Sequence, residues 1–124
     1  MSVPTFSPDM KKDQLDDFMS KARAASTLLK ALSHETRLLI LCILSRGEKT
    51  VGEIETILGL QQAVVSQQLA RLRSEHLVRT RREGRMIFYR IGDPALNELV
   101  SVLYKMYCEP DEKTAVVDQV HENV

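Results

Sequence analysis

Apolar residues recur along this chain in two rhythms, a helical one over most of its length and an alternating one between residues 77 and 91. The helical rhythm begins after Pro8, where Leu15, Phe18, Met19, Ala22, Ala25 and Leu29 share one face of a first amphipathic helix. Ser33 is placed to cap a second helix, from about His34 to Ser45, in which Leu38, Leu39, Ile40, Leu41, Ile43 and Leu44 are apolar almost all round. Such a helix belongs in the core. Thr50 stands three residues before Glu53, the spacing of a reciprocal capping box, so a third helix starts near Val51, carries Ile54, Ile57 and Leu58, and stops at Gly59. From Gln61 to Arg73, Val65, Leu69 and Leu72 form one apolar stripe of a fourth helix. Leu77 to Ile91 then alternates as two strands about Gly84. Asp93 as N-cap and Pro94 at the first helical position open a last helix with Leu96, Leu99, Val100, Leu103 and Tyr107 on one face.

Four helices, a hairpin and a closing helix form a mainly α fold with a small β-hairpin wing, the pattern of a winged helix-turn-helix. The fourth helix then becomes a candidate recognition helix. Gln62, Ala63, Ser66, Gln67 and Arg71 fall largely off its apolar stripe. Near a helix N-terminus, small and amide side chains enter the major groove, where Gln pairs with adenine and Ser serves either base type. In the wing, Arg81, Arg82 and Arg85 cluster at the tip, where guanidinium groups reach phosphates or a narrow minor groove.

Charge supports this once it is counted by segment. The 17 basic and 17 acidic residues cancel over the whole chain. Residues 71–90, however, carry a net of +5, and residues 91–124 a net of −5. A basic face with an acidic far side orients a protein on a polyanion, and phosphate contacts make affinity fall steeply with salt.

A length of 124 residues and 44% apolar content suit one domain. Residues 1–8 are expected to be a flexible N-terminus, 9–108 the DNA-binding and dimerisation domain, and 109–124 an acidic tail with one further helical turn beyond Pro110. Pro4, Pro8, Pro94 and Pro110 all lie outside the run from Asp9 to Asp93. No apolar run is long enough to span a bilayer and Met1 to Pro8 does not read as a signal peptide, so the expected location is cytoplasmic. The first and last helices carry more apolar surface than one winged domain needs. They are expected to form a homodimer that sets two recognition helices about one turn of duplex apart, on an inverted repeat of operator DNA.

Lys30-Ala31-Leu32-Ser33-His34-Glu35-Thr36-Arg37-Leu38, then Gln62-Ala63-Val64-Val65-Ser66-Gln67-Gln68-Leu69 and the wing, resemble the arsenic-repressor (ArsR) family of bacterial regulators over about residues 20–107. The resemblance implies a dimeric repressor that leaves its operator when an inducer is sensed. Gln68 stands where the family often has His, which bears on the operator sequence rather than on the mode of binding.

Many members of the family sense metals, but the ligands are scarce here. Val51 to Leu58 holds no Cys or His, Ala95 to Tyr107 holds no His, and His34, His76 and His121 are scattered. No metal or other cofactor is expected. The two cysteines, Cys42 and Cys108, lie 66 residues apart, outside any Cys-x-x-Cys motif. Read from the residues alone they are small core residues. The sulfide-responsive, BigR/SqrR-type branch of the family has one Cys on the second helix and one on the last, and both positions match. The resemblance thus implies redox sensing of a persulfide or polysulfide inducer through a Cys42–Cys108 di- or polysulfide bridge, with sulfide-handling genes under control. Arg46, one turn after Cys42, favours its thiolate, whereas the C-terminal end of a helix disfavours ionisation of Cys108. The order of attack stays open. A general redox sensor and a metal-responsive repressor remain alternatives, as does a winged module that binds protein rather than DNA. An enzyme is not expected, because no nucleophile with an aligned base, carboxylate cluster or phosphate loop is present.

Overall fold

The computed structural model describes residues 6–108. The expected acidic tail and its helical turn, with His121, lie outside the described residues.

The N-terminal unit is a single long helix, α1 (Lys12–Leu32). Lys11 N–H donates to Gln14 Oε1 at 3.2 Å, which satisfies one of the donors left free at a helix start. Lys21 and Asp17 pair one turn apart at 2.9 Å. Leu15, Phe18, Met19 and Leu29 are all exposed along it, and Phe6 packs on Phe18 with ring centroids 4.6 Å apart. Ser33 departs from expectation. Its hydroxyl donates back to Lys30 O at 2.7 Å and the residue closes α1, because an αR backbone turns its side chain toward the preceding carbonyls.

The second unit begins with α2 (Glu35–Leu44). Ile40, Leu41 and Leu44 are buried, while Leu39 is 44% exposed, so α2 shows one face to solvent and is not a fully enclosed core helix as its composition suggests. A strand that the apolar pattern does not signal follows, β1 (Lys49–Thr50). Two residues are too few to show alternation. They become a strand by pairing with the wing.

α3 (Val51–Leu58) starts as its capping box requires: Thr50 Oγ1 accepts from Glu53 N–H at 3.2 Å and Thr50 N–H donates to Glu53 Oε1 at 3.0 Å. Gly59 ends it in the left-handed region at φ 65°, where a Cβ is penalised. Ile54 is fully buried; Ile57 is exposed. α4 (Gln62–Ser74) buries Val65, Leu69 and Leu72, the predicted stripe. α3 and α4 pack together as the helix-turn-helix, and α2 packs against α4.

β2 (Val78–Glu83) and β3 (Met86–Ile91) are antiparallel, and β1 adds to the other edge of β3, giving the order β1-β3-β2. Glu83 pairs with Met86 across a two-residue turn whose first residue, Gly84, has φ 62°. Positive φ at that residue is what a turn matched to the strand twist needs. α5 (Pro94–Tyr107) begins with Asp93 Oδ1 accepting from Ala95 N–H at 2.8 Å. It buries Leu96 and Val100 and packs on α2, but Leu99, Val102 and Met106 form an exposed apolar row.

Candidate functional site

Burial of Val65, Leu69 and Leu72 fixes the roll of α4, and that roll decides what the helix presents. Gln62, Ala63, Gln67 and Arg71 are exposed, and Ser66 is half-buried beside them. Gln62 and Ala63 occupy the first turn, which a recognition helix points at base edges. Arg71, between two and three turns further on, is paired with Glu75 at 3.4 Å.

The wing projects beyond the three-stranded part of the sheet, because β1 reaches β3 only at Phe88 and Tyr89. Arg82 and Arg85 are exposed at its outer end, and among the described residues neither forms an ion pair. Arg81, expected to reach DNA from the tip with them, is instead engaged within the protein. It lies opposite Phe88, stacks on that ring at 4.4 Å, and donates from Nε to both carboxylate oxygens of Glu48 at 3.0 and 2.9 Å. Nη2 also pairs with Glu48, and Nη1 reaches Glu83 at 2.9 Å. The hydrogen bond from Arg81 holds the Glu48 carboxyl below its ordinary range, helped by the charges of Arg81, Arg90 and Lys49, and the two carboxylates push the Arg81 guanidinium's pKa up. Glu48 could not be recognised in the sequence. It is a lone acid in a connection, and only the pairing of β1 with β3 brings it to the wing.

The two cysteines are free thiols on helices that pack together, Cys42 half-buried on α2 and Cys108 exposed where α5 ends. Burial pushes the Cys42 thiol above its ordinary range, and negative charge on nearby Cys108 pushes it further. This reverses the expectation for Arg46. Its guanidinium lies 5.1 Å over the Tyr104 ring of α5, and the Cys42 thiol is raised rather than lowered. The Arg46–Tyr104 stack thus joins the turn after α2 to α5, four residues from each cysteine in sequence. Ser45 Oγ donates to the Cys42 carbonyl at 2.6 Å, which closes the end of α2. Among the described residues no three of His, Cys, Asp and Glu gather closely enough to hold a metal ion. His34 and His76 are exposed and far apart in the chain.

Known proteins agree with this geometry. The family model for bacterial regulatory proteins of the arsR family matches residues 34–80. The biofilm growth-associated repressor of Agrobacterium fabrum is 39% identical over 104 residues, covering 84% of this chain and 89% of that protein. Reduced HlyU from Vibrio cholerae superimposes with a TM-score of 0.71 at 38% identity, covering 75% of this chain and 98% of the other. The repressor BigR from Xylella fastidiosa gives a TM-score of 0.69 at 42% identity, over 75% and 92% of the two chains. With the helix-turn-helix, the wing and these relatives in agreement, the chain belongs to the ArsR family of bacterial regulatory proteins, winged helix-turn-helix regulators of transcription.

Proposed function

We propose that the protein is a homodimeric repressor that holds an inverted-repeat operator and releases it when reactive sulfur species join Cys42 to Cys108. The observation that carries this reading is the placement of the two thiols on the packed pair α2 and α5, near enough for the charge of one to register on the other. The repressor names of the Agrobacterium and Xylella relatives support the regulatory sense. The exposed rows on α1 (Leu15, Phe18, Met19, Leu29) and on α5 (Leu99, Val102, Met106) support a dimer, since apolar rows of this size are what subunit association covers. Gln62, Ala63, Ser66, Gln67 and Arg71 are assigned to the major groove, and Arg82 and Arg85 to the backbone or the minor groove.

Exposure and ionisation support an order of attack that starts at Cys108. Cys108 is open to solvent, whereas the Cys42 thiol is half-buried and resists ionisation, so Cys108 reacts first. Its thiolate attacks the outer sulfur of an organic persulfide, the S–S bond breaks, and the parent thiol leaves, so that Cys108 becomes a persulfide. Cys42 then attacks the sulfur next to the terminal one. The terminal sulfur departs as hydrosulfide and a disulfide closes. Further sulfur transfer before closure lengthens the chain to a tri- or tetrasulfide. For every bridge length one sulfane sulfur is reduced to hydrogen sulfide while the two thiols are oxidised.

The test exposes reduced protein, without oxygen, to an organic persulfide and separately to peroxide, then maps the Cys42 and Cys108 peptides by non-reducing mass spectrometry. A Cys42–Cys108 link formed after persulfide and not after peroxide, as a disulfide or with extra sulfur, and with one hydrogen sulfide released per link, is expected. A bare disulfide with both reagents would mark a general oxidant sensor instead. No link with either reagent would overturn sulfur sensing altogether.

A further inference from the structure

Arg81 differs from Arg82 and Arg85 in that its donors are already committed. The row Thr50, Phe88, Arg81 is the last in which the sheet has three strands, because β1 ends at Thr50. Beyond it the wing is a two-stranded ribbon, and its outward residues, Arg82 to Ile87, are all exposed. Such a ribbon has little stability of its own and bends freely unless something braces it at the root. Arg81 sits at that root. Its guanidinium is anchored on Glu48 before β1, on Phe88 in β3 and on Glu83 at the end of β2, so one planar group joins the connection after α2 to both strands of the hairpin. Two-oxygen pairing of a guanidinium with a carboxylate and its stacking on an aromatic ring are both directional, which suits a brace. They also make Arg81 a poor phosphate ligand, because a phosphate would have to displace two carboxylates that repel it.

We propose that Arg81 is a positioning residue rather than a DNA contact: with Glu48 and Phe88 it forms a clamp that fixes the angle of the wing on the helix-turn-helix, so that Arg82 and Arg85 meet the duplex. The clamp rests on the DNA-binding reading but not on the chemistry of the cysteines.

A clamp and a phosphate contact predict opposite signs for Glu48→Gln. That variant removes a negative charge near the DNA and frees Arg81. If Arg81 touched phosphate, binding would tighten; if Arg81 and Glu48 brace the wing, binding weakens in spite of the more favourable charge. The probe is a duplex selected by wild-type protein from a randomised pool, with affinity measured over a range of salt. Failure to select any duplex would count against DNA binding itself and is separate from the outcome for the clamp. Glu48→Gln and Arg81→Gln are each expected to weaken binding about fivefold, the upper range of a surface ion-pair network. The double variant should be no weaker than either single one, the salt slope should stay at the wild-type value, and the melting temperature should barely move. A loss of about one from the salt slope in Arg81→Gln, or unchanged or tighter binding by Glu48→Gln, would overturn the clamp and return Arg81 to the phosphate backbone.

Discussion

His76 holds the position after a helix where glycine is usual. Its φ is 62°, and the two hydrogen bonds behind it, His76 N–H to Arg73 O at 3.0 Å and Leu77 N–H to Leu72 O at 2.9 Å, are those of a Schellman ending to α4. A side chain in this left-handed conformation carries a steric cost that glycine avoids. His76→Gly is therefore expected to stabilise the fold by about 1 kcal/mol in thermal unfolding, while His76→Ala, which keeps the Cβ, should give no gain. Equal stability in all three proteins would show that the backbone there is unstrained. In the sequence His76 reads only as a scattered histidine, because nothing local announces a positive φ at a residue other than glycine. Arg46 shows the same limit. Its spacing from Cys42 is visible, but its actual partner, Tyr104, comes from another helix.

At the scale of elements, those with local signals were legible and those made by distant pairing were not. The capping box of α3, the Gly59 stop, the Asp93-Pro94 start of α5 and the buried stripe of α4 all follow from residues within a turn or two of one another. The strand β1 and the Glu48–Arg81 clamp depend on a register between residues more than thirty apart, and the exposed side of α2 depends on how much partner surface is available. The cap of α3 also has a pH signature. The backbone hydrogen bond from Thr50 holds the Glu53 carboxyl below its ordinary 4.5. A carboxyl with a depressed native pKa adds stability above its unfolded value and loses it as the pH falls through the native one. Wild-type stability should thus decline as the pH drops below 4.5, and a Glu53→Gln variant, whose amide can still accept the hydrogen bond, should decline less over that window. Parallel curves in denaturant melts at several pH values would show that the charge of Glu53 adds nothing to the cap.

In the molecule as a whole, one helix, α2, lies between the two cysteines' chemistry and the helix-turn-helix. α2 packs against α4, the proposed recognition helix, and against α5, which ends at Cys108 and has an exposed apolar row. A sulfur bridge from Cys42 to Cys108 would lock α2 to α5 and change how the two recognition helices of a dimer are spaced. A coupling of only about 1 to 3 kcal/mol would lower operator affinity roughly 5- to 150-fold. The direct test is release of a selected duplex, followed by fluorescence anisotropy under anaerobic conditions as an organic persulfide is added to wild-type protein, Cys42→Ser and Cys108→Ser. Wild-type protein should dissociate, a thiol reductant should restore binding, and both serine variants should stay bound at every persulfide concentration. Release of either serine variant at the wild-type concentration would contradict a bridge as the signal.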